Sequence, residues 1–81
     1  MEVHFTKHTK ERMAERAISE KRILVALKKP TRVLKDDGRY LIKKLYKKKG
    51  KPRLLLIAIE RTKQAMTVIT VIDTSKVRKY L

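Results

Sequence analysis

The run Arg53–Glu60, RLLLIAIE, constrains this chain more than any other segment. Its six residues from Leu54 to Ile59 are all aliphatic, with charge at both ends. Successive side chains of a strand point to opposite faces, so an apolar residue at every position demands cover on both sides. Six residues are far too few to cross a bilayer, which takes about 20 in a helix. The run therefore reads as the central strand of a sheet, in a chain of 81 residues that holds one core and one domain, residues 1–81.

The segments before it change period once. Val3–Phe5 is a short strand or extended lead-in. Thr6 caps a first helix running through about Arg16, whose apolar face is thin: Met13 and Ala14, with Phe5 and Ala17 at the ends. A helix this short and polar must dock on something to persist. Ser19 is the N-cap of a second helix, and Ile18 and Ile23 sit at the positions of a hydrophobic staple. Ile23, Leu24, Ala26 and Leu27 form its buried stripe, Lys28 and Lys29 suit its negative end, and Pro30 stops it. From Thr31 the period is two. Thr31–Lys35 reads as a strand, Asp37–Gly38 as a hairpin turn, and Tyr40–Lys47 as the returning strand, with Ile42, Lys44 and Tyr46 on one face. Lys48–Pro52 is a basic turn, Arg61–Ala65 a polar one, Met66–Ile72 a last strand, and Asp73–Ser75 breaks it before a basic tail. The expected fold is α+β, with two N-terminal helices packed on a four-stranded, mostly antiparallel sheet. One sheet face, or its edge and loops, is then left free for a partner.

Charge narrows the function classes. Lys and Arg total 23 against 8 acids, a formal net charge of +15. The excess is uneven: residues 1–37 carry ten bases and six acids, residues 38–81 thirteen bases and two acids, and Lys43–Arg53 seven bases and no acid. Such a field attracts polyanions by counterion release and steered encounter. A Lys-rich surface also serves plain solubility, and the absence of Asn is a bias of heat-adapted proteins. That bias, however, enriches Glu alongside Lys, and Glu is scarce here. No basic amphipathic helix suits a membrane surface. The charged opening MEVHFTKHTKER has no apolar run and does not read as a secretory signal, so the expected location is cytoplasmic. Without cysteine the chain has no disulfide or thiolate metal site. No cofactor or metal is expected. Gly38 and Gly50 are the only glycines and form no phosphate-cradling loop, and no Ser/His/Asp set is recognisable.

The blocks HFTKHTKERMAERAIS, LKKP, VLKDDGRYLIKK and VITVIDTSKVRKY, in this order over roughly residues 4–80, resemble a family of small uncharacterised domains. That family is grouped with the RelE/ParE superfamily of toxin-like proteins. The resemblance implies helices followed by a curved antiparallel sheet, and a toxin held inactive by an acidic antitoxin. RelE-like members cut mRNA on the ribosome, whereas ParE-like members inhibit gyrase.

Candidate site residues follow. Lys43, Lys47, Lys48, Lys49 and Lys51 form a flexible comb for phosphates on the basic hairpin, or a solvated tip. Tyr40 and Tyr46 stack bases or sit half-buried in the sheet. Arg12, Arg39, Arg61, Lys76 and Lys79 extend the nucleic-acid-binding set. Cleavage by a 2′-hydroxyl needs a base, an acid for the leaving oxygen, and cations on the phosphate. RelE-like toxins do this chiefly with Lys, Arg and a C-terminal Tyr, and the resemblance nominates Lys44, Arg53, Arg78 and Tyr80. His8, sharing a helix face with Arg12, is a general acid/base candidate or part of a packing layer. Glu60 is expected to pair with Arg53 or Arg61. Glu11 with Glu15, and Arg12 with Arg16, read as an ion-paired solvated face.

Three functions remain open. The first is a toxin-like, ribosome-dependent mRNA endonuclease. The second is a non-catalytic nucleic-acid-binding module, with RNA favoured. The third is an interaction subunit whose basic face docks an acidic partner such as an antitoxin. Oligomeric state is not legible.

Overall fold

The computed structural model describes residues 2–81. In chain order the elements are β1 (Glu2–Phe5), α1 (Lys7–Glu15), α2 (Glu20–Lys28), β2 (Arg32–Asp36), β3 (Arg39–Lys48), β4 (Lys51–Arg61), β5 (Ala65–Thr74) and α3 (Val77–Tyr80). Local chemistry explains most boundaries. The Thr6 hydroxyl accepts the Thr9 N–H at 3.1 Å and starts α1. Its end is a Schellman closure: Ile18 N–H reaches the Met13 carbonyl and Ala17 N–H the Ala14 carbonyl, with Ala17 left-handed at φ 54°. The Ser19 hydroxyl accepts the Arg22 N–H at 3.1 Å and starts α2, with Ile18 and Ile23 both buried beside it. Two of the three hairpins, β2–β3 and β3–β4, turn on two left-handed residues, Asp37–Gly38 and Lys49–Gly50, which match the twist of the flanking strands.

The sheet corrects the expected fold. It has five strands in the order β1-β5-β4-β3-β2, and it is mixed, because β1 lies parallel to β5 while the other pairs are antiparallel. The helices number three among the described residues, and the class is α+β. The physical reason lies in edges. With β4 paired on both sides, the outer N–H and C=O row of β5 would stay open, and the lead-in Glu2–Phe5 satisfies it. Four residues carry too little periodicity to announce such a pairing, and the same holds for the single turn of α3.

One face of the sheet meets the helices. Ile42, Leu55, Ile57, Ile59, Val68 and Val71 cluster there with Met13, Ile18, Ile23 and Ala26, and Val3 and Phe5 pack against them. α1 rests on β5 and α2 on β3. The register slips at Ala58/Ile59, which pair with Thr70 and Val68 and leave Ile69 as an extra residue. The Thr9 side chain, fully buried, sits on this bulge with its hydroxyl 2.7 Å from the Ile69 carbonyl and 3.1 Å from that of Val68.

Of the two arrangements expected, a free face or a free edge and loops, the first does not hold, because the opposite face is partly covered. Leu54 and Leu56 alternate away from the helices, yet both are buried. α3 packs on β4, and Arg32 Nη1 donates to the Leu81 carbonyl at 2.9 Å, so the C-terminal segment lies across this side. Among the described residues no helix is long and apolar enough to cross a membrane.

Candidate functional site

Strand alternation sorts the hairpin cations. Lys44 and Tyr46 share the helix side with Ile42, and Arg53, paired across from Tyr46, shares it too. Lys43 and Lys47 point to the α3 side. Lys48 and Lys51 stand directly opposite one another next to the exposed Lys49 tip. Like charges directly opposite repel, so this end of the hairpin carries a local cost that a bound polyanion relieves.

On the helix side the chain forms a pocket of about 280 Å³ between α2 and β3. Its apolar lining is Val25, Leu55 and the Tyr46 ring; its polar lining is Ser19, Lys21, Arg22 and Lys44, with no acid. The Arg22 guanidinium lies 4.4 Å from the centre of the Tyr46 ring, a cation–π contact. Lys44 Nζ donates to the Lys29 carbonyl at 2.7 Å, which caps the end of α2 and holds the ammonium at the sheet surface.

Beyond Tyr46, Arg53 Nε donates to Asp73 Oδ1 at 3.0 Å. The Asp73 side chain is 7% exposed and that of Arg53 30%. Asp73 strengthens the protonated form of Arg53. A guanidinium held through Nε keeps its two terminal nitrogens available as a fork for a phosphate. Burial pushes the Tyr46 phenol above its ordinary value, and the nearby Asp73 carboxylate adds to the rise. Tyr46 is therefore a neutral hydrogen-bond donor at physiological pH. The cluster can hold an anion beside an apolar wall.

Lys44 and Arg53 are thus brought to one face, while Arg78 and Tyr80, in α3, belong to the other. His8 and Arg12 are exposed on α1, over β5 rather than β3. Arg61, Lys76, Arg78, Lys79 and Tyr80 are exposed, and the Tyr80 ring lies 5.4 Å from Lys79 Nζ. Arg39 pairs across strands with Glu60 at 3.5 Å, so Glu60 partners neither Arg53 nor Arg61. No ion pair forms among Glu11, Glu15, Arg12 and Arg16, in contrast to the expectation for that face; among the described residues the Lys and Arg ion pairs are Arg39–Glu60 and Arg53–Asp73.

Sequence reasoning missed Asp73, assigning it to a strand break, and missed Lys21 and Arg22 altogether. A signal for Asp73 existed: an aspartate closing a Thr/Val/Ile run is costly in a strand unless a cation answers it. Nothing local marks Lys21 and Arg22, which join the pocket only because α2 crosses β3. Among the described residues no three His, Asp or Glu side chains gather as metal ligands.

The family described as "Domain of unknown function (DUF4258)" matches residues 5–73, from the last residue of β1 through most of β5. No curated protein and no solved structure matches the chain.

Proposed function

Because the chain belongs to the DUF4258 family, whose description assigns no activity, we propose its function from its own residues: it binds RNA through the basic β3–β4 hairpin and the α2–β3 pocket. One observation carries this reading. Of 23 Lys and Arg, only Arg39 and Arg53 touch a carboxylate among the described residues. Charges spent on internal ion-pair networks would serve stability. Charges left without a carboxylate, six of them within Lys43–Lys51, favour a polyanion. The order of sequence blocks supports placing the domain with the toxin-like RelE/ParE superfamily, acting in the cytoplasm.

A second reading, ribosome-dependent mRNA cleavage, is favoured by the meeting of Lys44, Arg53 and the Tyr46 phenol on one face. In that reading Arg53, oriented by Asp73, clamps the scissile phosphate and stabilises charge in the transition state. An acidic antitoxin segment would occupy the same basic surface.

The test is induced expression in a bacterial host, with growth curves, primer-extension maps of cellular mRNA, and RNA binding by the purified protein. Arg53→Ala alone strands a nearly buried carboxylate and is expected to destabilise the fold, so the informative variant is Arg53→Ala with Asp73→Asn. Salt-sensitive binding weakened by that variant and by Lys44→Ala supports RNA recognition. New codon-linked mRNA ends and growth arrest, lost in the variant, add cleavage. Binding to RNA that ignores salt, or none, overturns the reading.

A further inference from the structure

The α2–β3 pocket has two chemically different halves. Val25 and the Tyr46 ring form an apolar wall backed by the fully buried Leu55, and Val25 stays 48% exposed although it lines a concavity. Lys21, Arg22 and Lys44 bring three cations with no acid among the lining residues, and the Ser19 hydroxyl, already accepting the Arg22 N–H, still has its own proton to donate. Inorganic phosphate alone would leave the wall wet. A purely apolar ligand would leave the cations without a counterpart, and its site would not need them. The volume, about 280 Å³, lies at the small end of ligand sites and suits one compact group rather than an extended one.

We propose that this pocket seats a single nucleoside monophosphate unit, its base against Val25 and Tyr46, with Leu55 buried just beneath, and its phosphate among Lys21, Arg22 and Lys44. The proposal rests on the RNA-binding reading for the source of that unit: in bound RNA it is an unstacked nucleotide, since a base inside a duplex cannot present its face to the wall. The cation–π contact of Arg22 with Tyr46 keeps the guanidinium at the boundary of the two halves, where a 5′-phosphate leaves its base. Single-stranded RNA is then preferred over duplex at equal length and salt. The hairpin lysines, by contrast, meet phosphates of either form alike.

The experiment titrates the full chain with adenosine 5′-monophosphate and, separately, with inorganic phosphate, following Val25 and Leu55 methyl and Tyr46 ring resonances. The nucleotide is expected to shift all three, and inorganic phosphate to leave the methyls in place. Val25→Trp fills the concavity from an exposed helix position; Leu24→Trp, on the same helix outside the pocket, is the control. Val25→Trp is expected to abolish the nucleotide shifts and weaken single-stranded RNA about tenfold, as for loss of one stacked base, with duplex binding and the control unchanged. Equal shifts with phosphate and nucleotide, no shifts, or unaltered single-strand binding in Val25→Trp overturn the proposal. Nucleotide shifts from a protein that binds no RNA of either form would instead keep the pocket, assign it to free nucleotides, and sink the RNA reading alone.

Discussion

Arg53 and Asp73 stand twenty positions apart in sequence, and their contact organises the residues around them. Asp73 neutralises one charge of the arginine while fixing its head, and the phenol of Tyr46 is held neutral beside the pair. The consequence for stability has a definite sign. A phenol whose folded value exceeds its unfolded value of about 10 contributes stability that is present below that value and lost as pH rises through the folded one. Tyr46→Phe lacks this proton. The stability difference between wild type and Tyr46→Phe is therefore expected to shift in favour of the variant from about pH 9 to about pH 11. Urea unfolding of both proteins across that window measures it, and comparison with the variant cancels the titration of the many lysines. A difference that stays constant would mean the phenol is not perturbed.

At the scale of elements, the dock of α1 on β5 turns on one hydroxyl. The bulge at Ile69 disturbs the ladder, and Thr9 answers the carbonyls there while linked to Thr6 at 2.7 Å. Thr9→Val keeps the shape and removes the donor, leaving a buried carbonyl short of a partner. It is expected to cost about 1–3 kcal/mol, with Thr9→Ser close to wild type. The helix end nearby offers the opposite change. Ala17 occupies a left-handed position that carries a penalty for any residue with a Cβ. Ala17→Gly is expected to stabilise by about 0.5–1 kcal/mol, read from the same unfolding curves. The order of caps, staple and turns was legible in the sequence because each depends on residues within a few positions of one another.

For the whole molecule, the α-helical layer covers one side of the sheet and the C-terminal segment crosses the other, so the basic hairpin projects as the least encumbered part. RNA affinity is expected to fall linearly with the logarithm of salt. Replacing Lys47, Lys48, Lys49 and Lys51 with Ser should reduce that slope by roughly 2–3, since each phosphate contact on a single strand contributes about 0.7. Fluorescence anisotropy over a salt series checks it, and an unchanged slope would remove the hairpin from the interface.

By itself the sequence determined the N-caps Thr6 and Ser19, the turns between the last four strands, the central place of the aliphatic run Leu54–Ile59 and the polarity of charge along the chain. These follow from short-range hydrogen bonds, from side-chain period and from composition. Tertiary structure alone decided the parallel docking of β1 on β5, the bulge beneath Thr9 and the cover of Leu54 and Leu56 by the C-terminal segment. It also decided the separation of Lys44 and Arg53 from Arg78 and Tyr80, and the meeting of Arg53 with Asp73. Each of these joins residues distant along the chain, and which distant groups meet is set by sheet register and by edges that must be satisfied, neither of which leaves a mark on local pattern.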